Sequence, residues 1–217
     1  MNDNIPASKL DRLVSDYPAL SSIRGDIEKA FHLLGETFET DGKLLLCGNG
    51  GSACDCEHIA GELMKSFLIP RPLTASEQMA LLHQGETGEA LLYKLQRALP
   101  TIVLNGLPGL SSAFLNDVDG CVSFAQQAFA FARPGDALIG ISTSGNARNV
   151  LLAAAAARAR GAKIVAMTGE GGGALGKNCD ALIAVPARET YRVQEMHLPI
   201  YHALCAMLEE RFFGEAA

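Results

Sequence analysis

The sequence predicts an α/β fold: a doubly wound, mainly parallel sheet flanked by helices. Three observations lead there. Short apolar runs at 43–47, 101–105, 137–141, 163–167 and 181–185 read as strands, with a weaker candidate at 121–124. Helical stretches at about 52–66, 124–133, 147–160, 172–177 and 189–212 alternate with them, and such alternation builds parallel sheets. Two of the strands end abruptly in polar, glycine-containing turns that hand over to helices. Those turns belong at the carboxyl ends of strands, where open α/β sheets bind ligands.

Ahead of the first strand, residues 8–41 read as helical, with Ile23, Ile27, Phe31, Leu34 and Phe38 at three- and four-residue steps. Ser21 and Ser22 are candidate caps. A helix before the first strand cannot be a crossover within the sheet, so it should pack on the C-terminal helix or on another subunit. The apolar run Lys43–Cys47 then leads into Gly48-Asn49-Gly50-Gly51-Ser52 and a helix from about Ala53. No Gly-Lys-Ser/Thr closes this loop, which excludes a Walker A site, and its spacing is not G-x-G-x-x-G. Residues 70–100 fit the alternation less well. They open on Pro70-Arg71-Pro72, and two helix-favouring stretches, Glu77–His83 and Glu89–Leu99, flank Gly85 and Gly88. This segment reads as an inserted helical hairpin.

The most informative segment is LIGISTSGNARN, residues 138–149. An apolar run stops in Ser142-Thr143-Ser144-Gly145-Asn146, and an alanine-rich helix follows. An ordinary helix cap needs one such residue. Several hydroxyls beside exposed N–H groups and the positive end of a helix dipole suit a phosphate.

Composition narrows the class. The 217 residues are 48% hydrophobic and 19% charged, which is globular and not disordered. The net charge is −6 and no basic stripe occurs, so a nucleic-acid surface is not expected. No apolar stretch of about eighteen residues is present, so no membrane span is expected. The start, MNDNIPASKLDRL, has no signal-peptide core, and a cytoplasmic protein is expected. The six cysteines (Cys47, Cys54, Cys56, Cys121, Cys179 and Cys205) form no C-x-x-C pair and read as small core or helix residues. Cys54 and Cys56 lie near a helix start, where a thiolate is favoured; their spacing does not match a structural zinc site.

Chemistry-bearing side chains gather on two helices. His58 and Glu62 are four residues apart and share a face. The last helix carries Gln194-Glu195-Met196-His197 and then His202. Gln194 and His202 are separated by about 80° around an ideal helix, so they can converge on one ligand. Imidazole, carboxylate and amide groups make a divalent transition-metal site possible, with zinc a candidate. A glutamate beside a phosphate pocket also suits proton abstraction next to a sugar carbonyl, with a histidine moving the oxygen-bound proton.

CGNGGSACDCEHIAGEL, ISTSGN, AMTGEGGGALGKNCDALIAVP and RVQEMHLPIYH, in that order, resemble the sugar isomerase (SIS) domain family. The resemblance is to its phosphoheptose isomerase branch, which converts sedoheptulose 7-phosphate into D-glycero-D-manno-heptose 7-phosphate. It covers most of the chain outside roughly 70–100, and implies one SIS domain over residues 1–217, a flavodoxin-like three-layer sandwich. Residues 8–41 would be an N-terminal oligomerisation helix and 70–100 an insertion. By resemblance, Asn49, Gly50, Gly51 and Ser52 bind substrate, Ser142, Thr143 and Ser144 hold the phosphate, and Asn116 and Asp117 line the site. Glu62 matches the catalytic base and His202 the catalytic acid. His58, Glu62, Gln194 and His202 match a zinc set, one ion per subunit, with Glu62 and Gln194 also contacting substrate. The resemblance further implies a cytoplasmic homotetramer with sites at subunit interfaces, working in heptose and lipopolysaccharide biosynthesis.

The chain departs from the branch pattern at Ala147, where a phosphate-contacting serine is usual; one hydrogen bond is worth about 0.5–1.5 kcal/mol. Two rival readings come from the same superfamily. One is a non-enzymatic, tetrameric protein that binds the replication initiator, but such a protein lacks counterparts of Glu62 and His202. The other is a sugar-phosphate-sensing regulatory domain, which normally comes joined to a second domain.

Overall fold

Five parallel strands pair in the order β2-β1-β3-β4-β5. They are β1 (Leu44–Gly48), β2 (Thr101–Val103), β3 (Ala137–Ile141), β4 (Lys163–Thr168) and β5 (Ala181–Ala184). The computed structural model describes residues 7–214; the polar segment 1–6 lies outside the described residues. The helices are α1 (Ala7–Asp16), α2 (Arg24–Glu39), α3 (Gly51–Met64), α4 (Ala75–Leu82), α5 (Glu86–Glu89), α6 (Pro108–Asp117), α7 (Ser123–Phe131), α8 (Arg148–Ala159), α9 (Gly173–Gly176) and α10 (Thr190–Phe213). After β2 the chain crosses back to the other side of β1. The order therefore switches between β1 and β3, and ligands bind at such a point.

Apart from Thr101, Lys163 and Thr168 the strands are apolar, because both faces of the sheet are covered. Leu44, Leu46, Ile139, Ile141, Val165, Met167 and Ile183 face a core closed by Phe31 and Leu34 of α2, Ile59 and Leu63 of α3, and Ile200 and Leu204 of α10. The alternate residues Leu45, Cys47, Leu138, Ile164 and Ala166 face Ala128 of α7 and Val150, Ala153 and Ala157 of α8. The alanines let α8 lie close to the sheet. At Gly140 a Cβ would stand 2.9 Å from Val150 Cγ1, so glycine is what this approach tolerates. Among the described residues no helix is long and apolar enough to cross a membrane.

Several expectations are corrected. Residues 8–41 are not one helix: Pro18 opens a 3₁₀ turn, Pro18–Ile23, between α1 and α2. Ser21 and Ser22 fall inside that turn, and the residue before α2, Ile23, offers no side-chain cap. Both helices pack with α10, the first of the two docking sites expected. The weak strand at 121–124 is instead a 3₁₀ turn, Gly120–Val122, capped by Asp119, followed by α7. The run 101–105 leaves the sheet at Val103 in another such turn, Leu104–Gly106. In the 70–100 segment α4 forms, opened by a reciprocal Thr74–Glu77 capping box, but the helix expected over Glu89–Leu99 does not form; a four-residue helix, α5, precedes that stretch instead. Leu91 and Leu95 are exposed, and a short helix with no buried face is marginal in water. Helix α6, begun by Pro108, was not foreseen. All six cysteines are free. Cys56 is buried despite lying near the start of α3, and burial pushes its thiol up, so the thiolate preference of a helix N-terminus does not hold there.

Candidate active site

The turns after β1 and β3 meet at the switch point. Ser142 is buried; its N–H donates to Met167 O (3.0 Å) and its Oγ accepts from Ala147 N (3.3 Å). Gly145 has φ +66° and donates to Ser142 O (2.9 Å), closing a tight turn that leaves Thr143 and Ser144 facing outward. A second glycine loop buttresses it from behind. Gly169 N donates to Thr143 O (2.9 Å), Leu175 N to Gly145 O (2.9 Å), and Ala174 N to Asn146 Oδ1 (3.0 Å). A Cβ on Gly145 would come within 2.1 Å of Gly172 O, so backbone lies directly on backbone. The N-cap of α8 is Ala147, which has no side-chain acceptor; in the first turn Asn149 Oδ1 accepts from Val150 N at 3.0 Å.

The result is a cavity of about 130 Å³. Ser142, Thr143, Ser144 and Ala147 line one side; Asn49, Ser52, Thr190 and Gln194 line the other. Asn49 is held by a reciprocal amide pair with Asn149 (2.9 and 2.8 Å), which ties the two turns together. Gly50 takes φ +54° to turn the chain into α3. Gly51 admits Gln194, whose Nε2 would lie 2.6 Å from a Cβ there.

A second group gathers where α3 meets α10. His58 Nε2 lies 3.2 Å from Glu62 Oε1 and 3.4 Å from His202 Nε2. On the other edge of the ring, His58 Nδ1 is 3.0 Å from the Tyr201 hydroxyl, which donates to Asp55 Oδ1 (3.3 Å). Because that hydroxyl's proton goes to Asp55, its oxygen accepts from His58 Nδ1–H. The Nε2 lone pair of His58 then faces Glu62 Oε1. Glu62 Oε2 is buried without a partner. Burial, with His58 nearby, holds the His202 imidazole below its ordinary pKa, against the opposing pull of Glu62. Burial likewise raises the Asp55 carboxyl, partly offset by Tyr201 and His58. Among the described residues, no group of three or more His, Cys, Asp and Glu side chains is arranged to hold a metal ion.

The structure thus brings Asn49, Ser52, Ser142, Thr143, Ser144 and Gln194 to one cavity, and His58, Glu62 and His202 to one cluster. Gln194 faces the cavity lining, while His202 meets His58. Asn116 and Asp117 end α6 in exposed positions, outside the cavity lining, and hydrogen-bond to each other (2.6 Å). His197 is a core residue, fully buried, with Nε2 3.2 Å from Thr168 O. Sequence reasoning missed Thr190, Asn149, Asp55 and Tyr201. Asp55 precedes His58 by one helical turn, a signal available in principle; the others are placed by contacts distant in sequence.

Residues 18–109 and 112–209 each match a family model described as SIS domain. The chain belongs to the SIS domain family. Its relatives place it in the phosphoheptose isomerase branch. It is 34% identical over 202 residues to the phosphoheptose isomerase of Akkermansia muciniphila, covering 93% of this chain and 94% of that one. It is 39% identical over 177 residues to that of Nitratiruptor sp., covering 82% and 81%. The solved phosphoheptose isomerase of Neisseria gonorrhoeae superposes with a TM-score of 0.70 at 31% identity, covering 93% and 94%. This SIS domain therefore carries its hydroxyl-lined cavity and its His–Glu–His cluster on a sheet of the order seen above.

Proposed function

We infer that the protein is an aldose–ketose isomerase that converts sedoheptulose 7-phosphate into D-glycero-D-manno-heptose 7-phosphate. The observation that carries this reading is the meeting of Glu62 and His202, from two helices, at the Nε2 edge of His58. A carboxylate and a neutral imidazole in one cluster are what an enediol proton transfer needs. The hydroxyls of Ser142, Thr143 and Ser144 hold the 7-phosphate at the start of α8, and Asn49, Ser52 and Gln194 orient the sugar. Glu62 takes the proton from C1 of the open-chain ketose while His202 gives its N–H proton to the C2 oxygen. The proton on Glu62 returns to C2 as His202 recovers one from the C1 hydroxyl, leaving the aldehyde.

His58, Glu62, Gln194 and His202 would hold one zinc ion per subunit. The donor chemistry fits. Glu62 Oε2 is buried with no protein partner, and imidazole, carboxylate and amide side chains are donors that zinc would accept. The Nδ1–H contact through Tyr201 to Asp55 is the outer support that orients a ligating histidine. When bound, such an ion polarises the substrate's oxygens. The donors are not gathered round one point in the described conformation, and the proton transfers above stand on Glu62 and His202 alone.

The enzyme is read as a cytoplasmic homotetramer with sites at subunit interfaces, serving heptose and cell-surface glycan synthesis. Leu115 and Val118, which flank Asn116 and Asp117, are 74% and 69% exposed, an apolar edge that a neighbouring subunit would cover. In that assembly the Asn-Asp pair would reach substrate. The test is conversion of sedoheptulose 7-phosphate followed by NMR. Glu62→Gln should slow turnover by at least ~10²-fold. Wild-type turnover in that variant would rule out Glu62 as the base, and equal use of unphosphorylated sedoheptulose would rule out the phosphate cradle.

A further inference from the structure

Arg71 and Glu209 are buried to 1% and 0% exposure and form an ion pair, Nε to Oε1 at 2.8 Å. The guanidinium does more than neutralise the carboxylate. Its Nη1 donates to Leu63 O (2.6 Å) and its Nη2 to Glu62 O (2.8 Å). These carbonyls belong to the last turn of α3, which ends at Met64 and leaves its final carbonyls without helical partners. Glu209 in turn accepts from three successive backbone N–H groups, Phe67, Leu68 and Ile69, at 2.7–3.1 Å. Phe213 lies under the Arg71 guanidinium, 4.7 Å from its ring centre.

Stability alone does not require such a pair, because well-packed apolar residues often serve as well in a buried site. What an arginine uniquely supplies is a planar fork that engages two carbonyls and a carboxylate at once. Its anchor, Glu209, stands on α10, seven residues beyond His202. The pair therefore ties the backbone of Glu62 to the helix that carries His202.

We propose that Arg71, locked to Glu209, is a positioning residue for the isomerisation, fixing the carboxylate of Glu62 relative to His202. This rests on the assignment of Glu62 as the base. A misplacement on the order of 1 Å at a reacting group costs up to ~10²-fold in rate. The phosphate turn lies between β3 and α8, and none of the Arg71 hydrogen bonds reaches it.

The experiment is a double-mutant cycle with Arg71→Lys and Glu62→Gln in the full chain, scoring kcat and KM for sedoheptulose 7-phosphate and thermal unfolding for each variant. Arg71→Lys should lower kcat by ~10- to 10²-fold and leave KM within about twofold. Added to Glu62→Gln, it should cost less than about twofold more, because groups that act as a unit are not additive. An equal loss in both backgrounds, a loss confined to KM, or an unchanged kcat overturns the proposal. If Arg71→Lys does not fold, Glu209→Gln enters the same cycle with the same criteria. A crippled Glu62→Gln beside an unaffected Arg71→Lys removes the positioning role alone. An active Glu62→Gln removes the base assignment and this role with it.

Discussion

His197 should make the fold sensitive to acid in a specific way. Its side chain is fully buried, its Nε2–H donates to Thr168 O at 3.2 Å, and its Nδ1 is buried without a partner. Protonation would place a second N–H at Nδ1, where no acceptor waits, in a site that already disfavours charge. Burial accordingly pushes its pKa down to about 4, against a weaker opposing effect of the Thr168 carbonyl. In the unfolded chain the value returns to about 6.5. Between those values the unfolded state binds more protons than the folded one, so stability rises with pH across that window. The contribution is complete above about pH 6.5 and is lost as pH falls towards 4. Linkage at 1.36 kcal/mol per unit gives a loss of about 2 kcal/mol at pH 5 and about 3 kcal/mol at pH 4. His197→Gln keeps an N–H for Thr168 and removes the titration. Urea unfolding of both proteins at pH 7, 6, 5 and 4, at one protein concentration, measures the difference. The stability gap between parent and variant should shift in the variant's favour by about 3 kcal/mol from pH 7 to pH 4. Parallel curves would show that His197 is not the titrating group.

Other expectations concern the site. Ala147→Ser restores a hydroxyl at the start of α8 and should lower KM for the sugar phosphate roughly 2- to 10-fold, the value of one hydrogen bond; an unchanged KM would mean that phosphate does not reach that position. Gly145→Ala forces a Cβ into Gly172 O at 2.1 Å and into left-handed backbone. It should cost at least ~1–2 kcal/mol of stability and weaken sugar-phosphate binding, measured by thermal unfolding and calorimetry; a variant normal in both would refute the buttress. Chelator should remove activity and added zinc restore it, with near-stoichiometric metal in purified protein. Full activity in protein shown by elemental analysis to be empty would dispose of catalytic zinc and leave the Glu62–His202 proton transfers standing.

Local chemistry made much of this legible in the sequence. Continuous apolar runs such as Leu44–Cys47 mark strands buried on both faces, and glycine with hydroxyl residues at 142–145 marks a tight polar turn at a strand end, because backbone conformation and exposed N–H groups are decided within a few residues. The i,i+4 pair His58 and Glu62 follows from helix geometry alone. The doubly wound parallel fold class and the two glycine-bearing turns at one crevice were therefore readable from the sequence. Elements whose formation depends on what they pack against were not. The second helix expected in 70–100 has no core to rest on, and Pro18 divides 8–41 where periodicity showed one helix. The assignment of His197 to the core and His202 to the cluster also needed tertiary structure, since both lie on the same apolar-rich helix and differ only in what faces them. The Asp55–Tyr201–His58 chain, the Gly145–Gly172 backbone contact and the Arg71–Glu209 latch join residues up to 146 positions apart. No local pattern specifies such pairs, because their energy comes from burial and mutual approach, which exist only once the sheet has brought distant elements together.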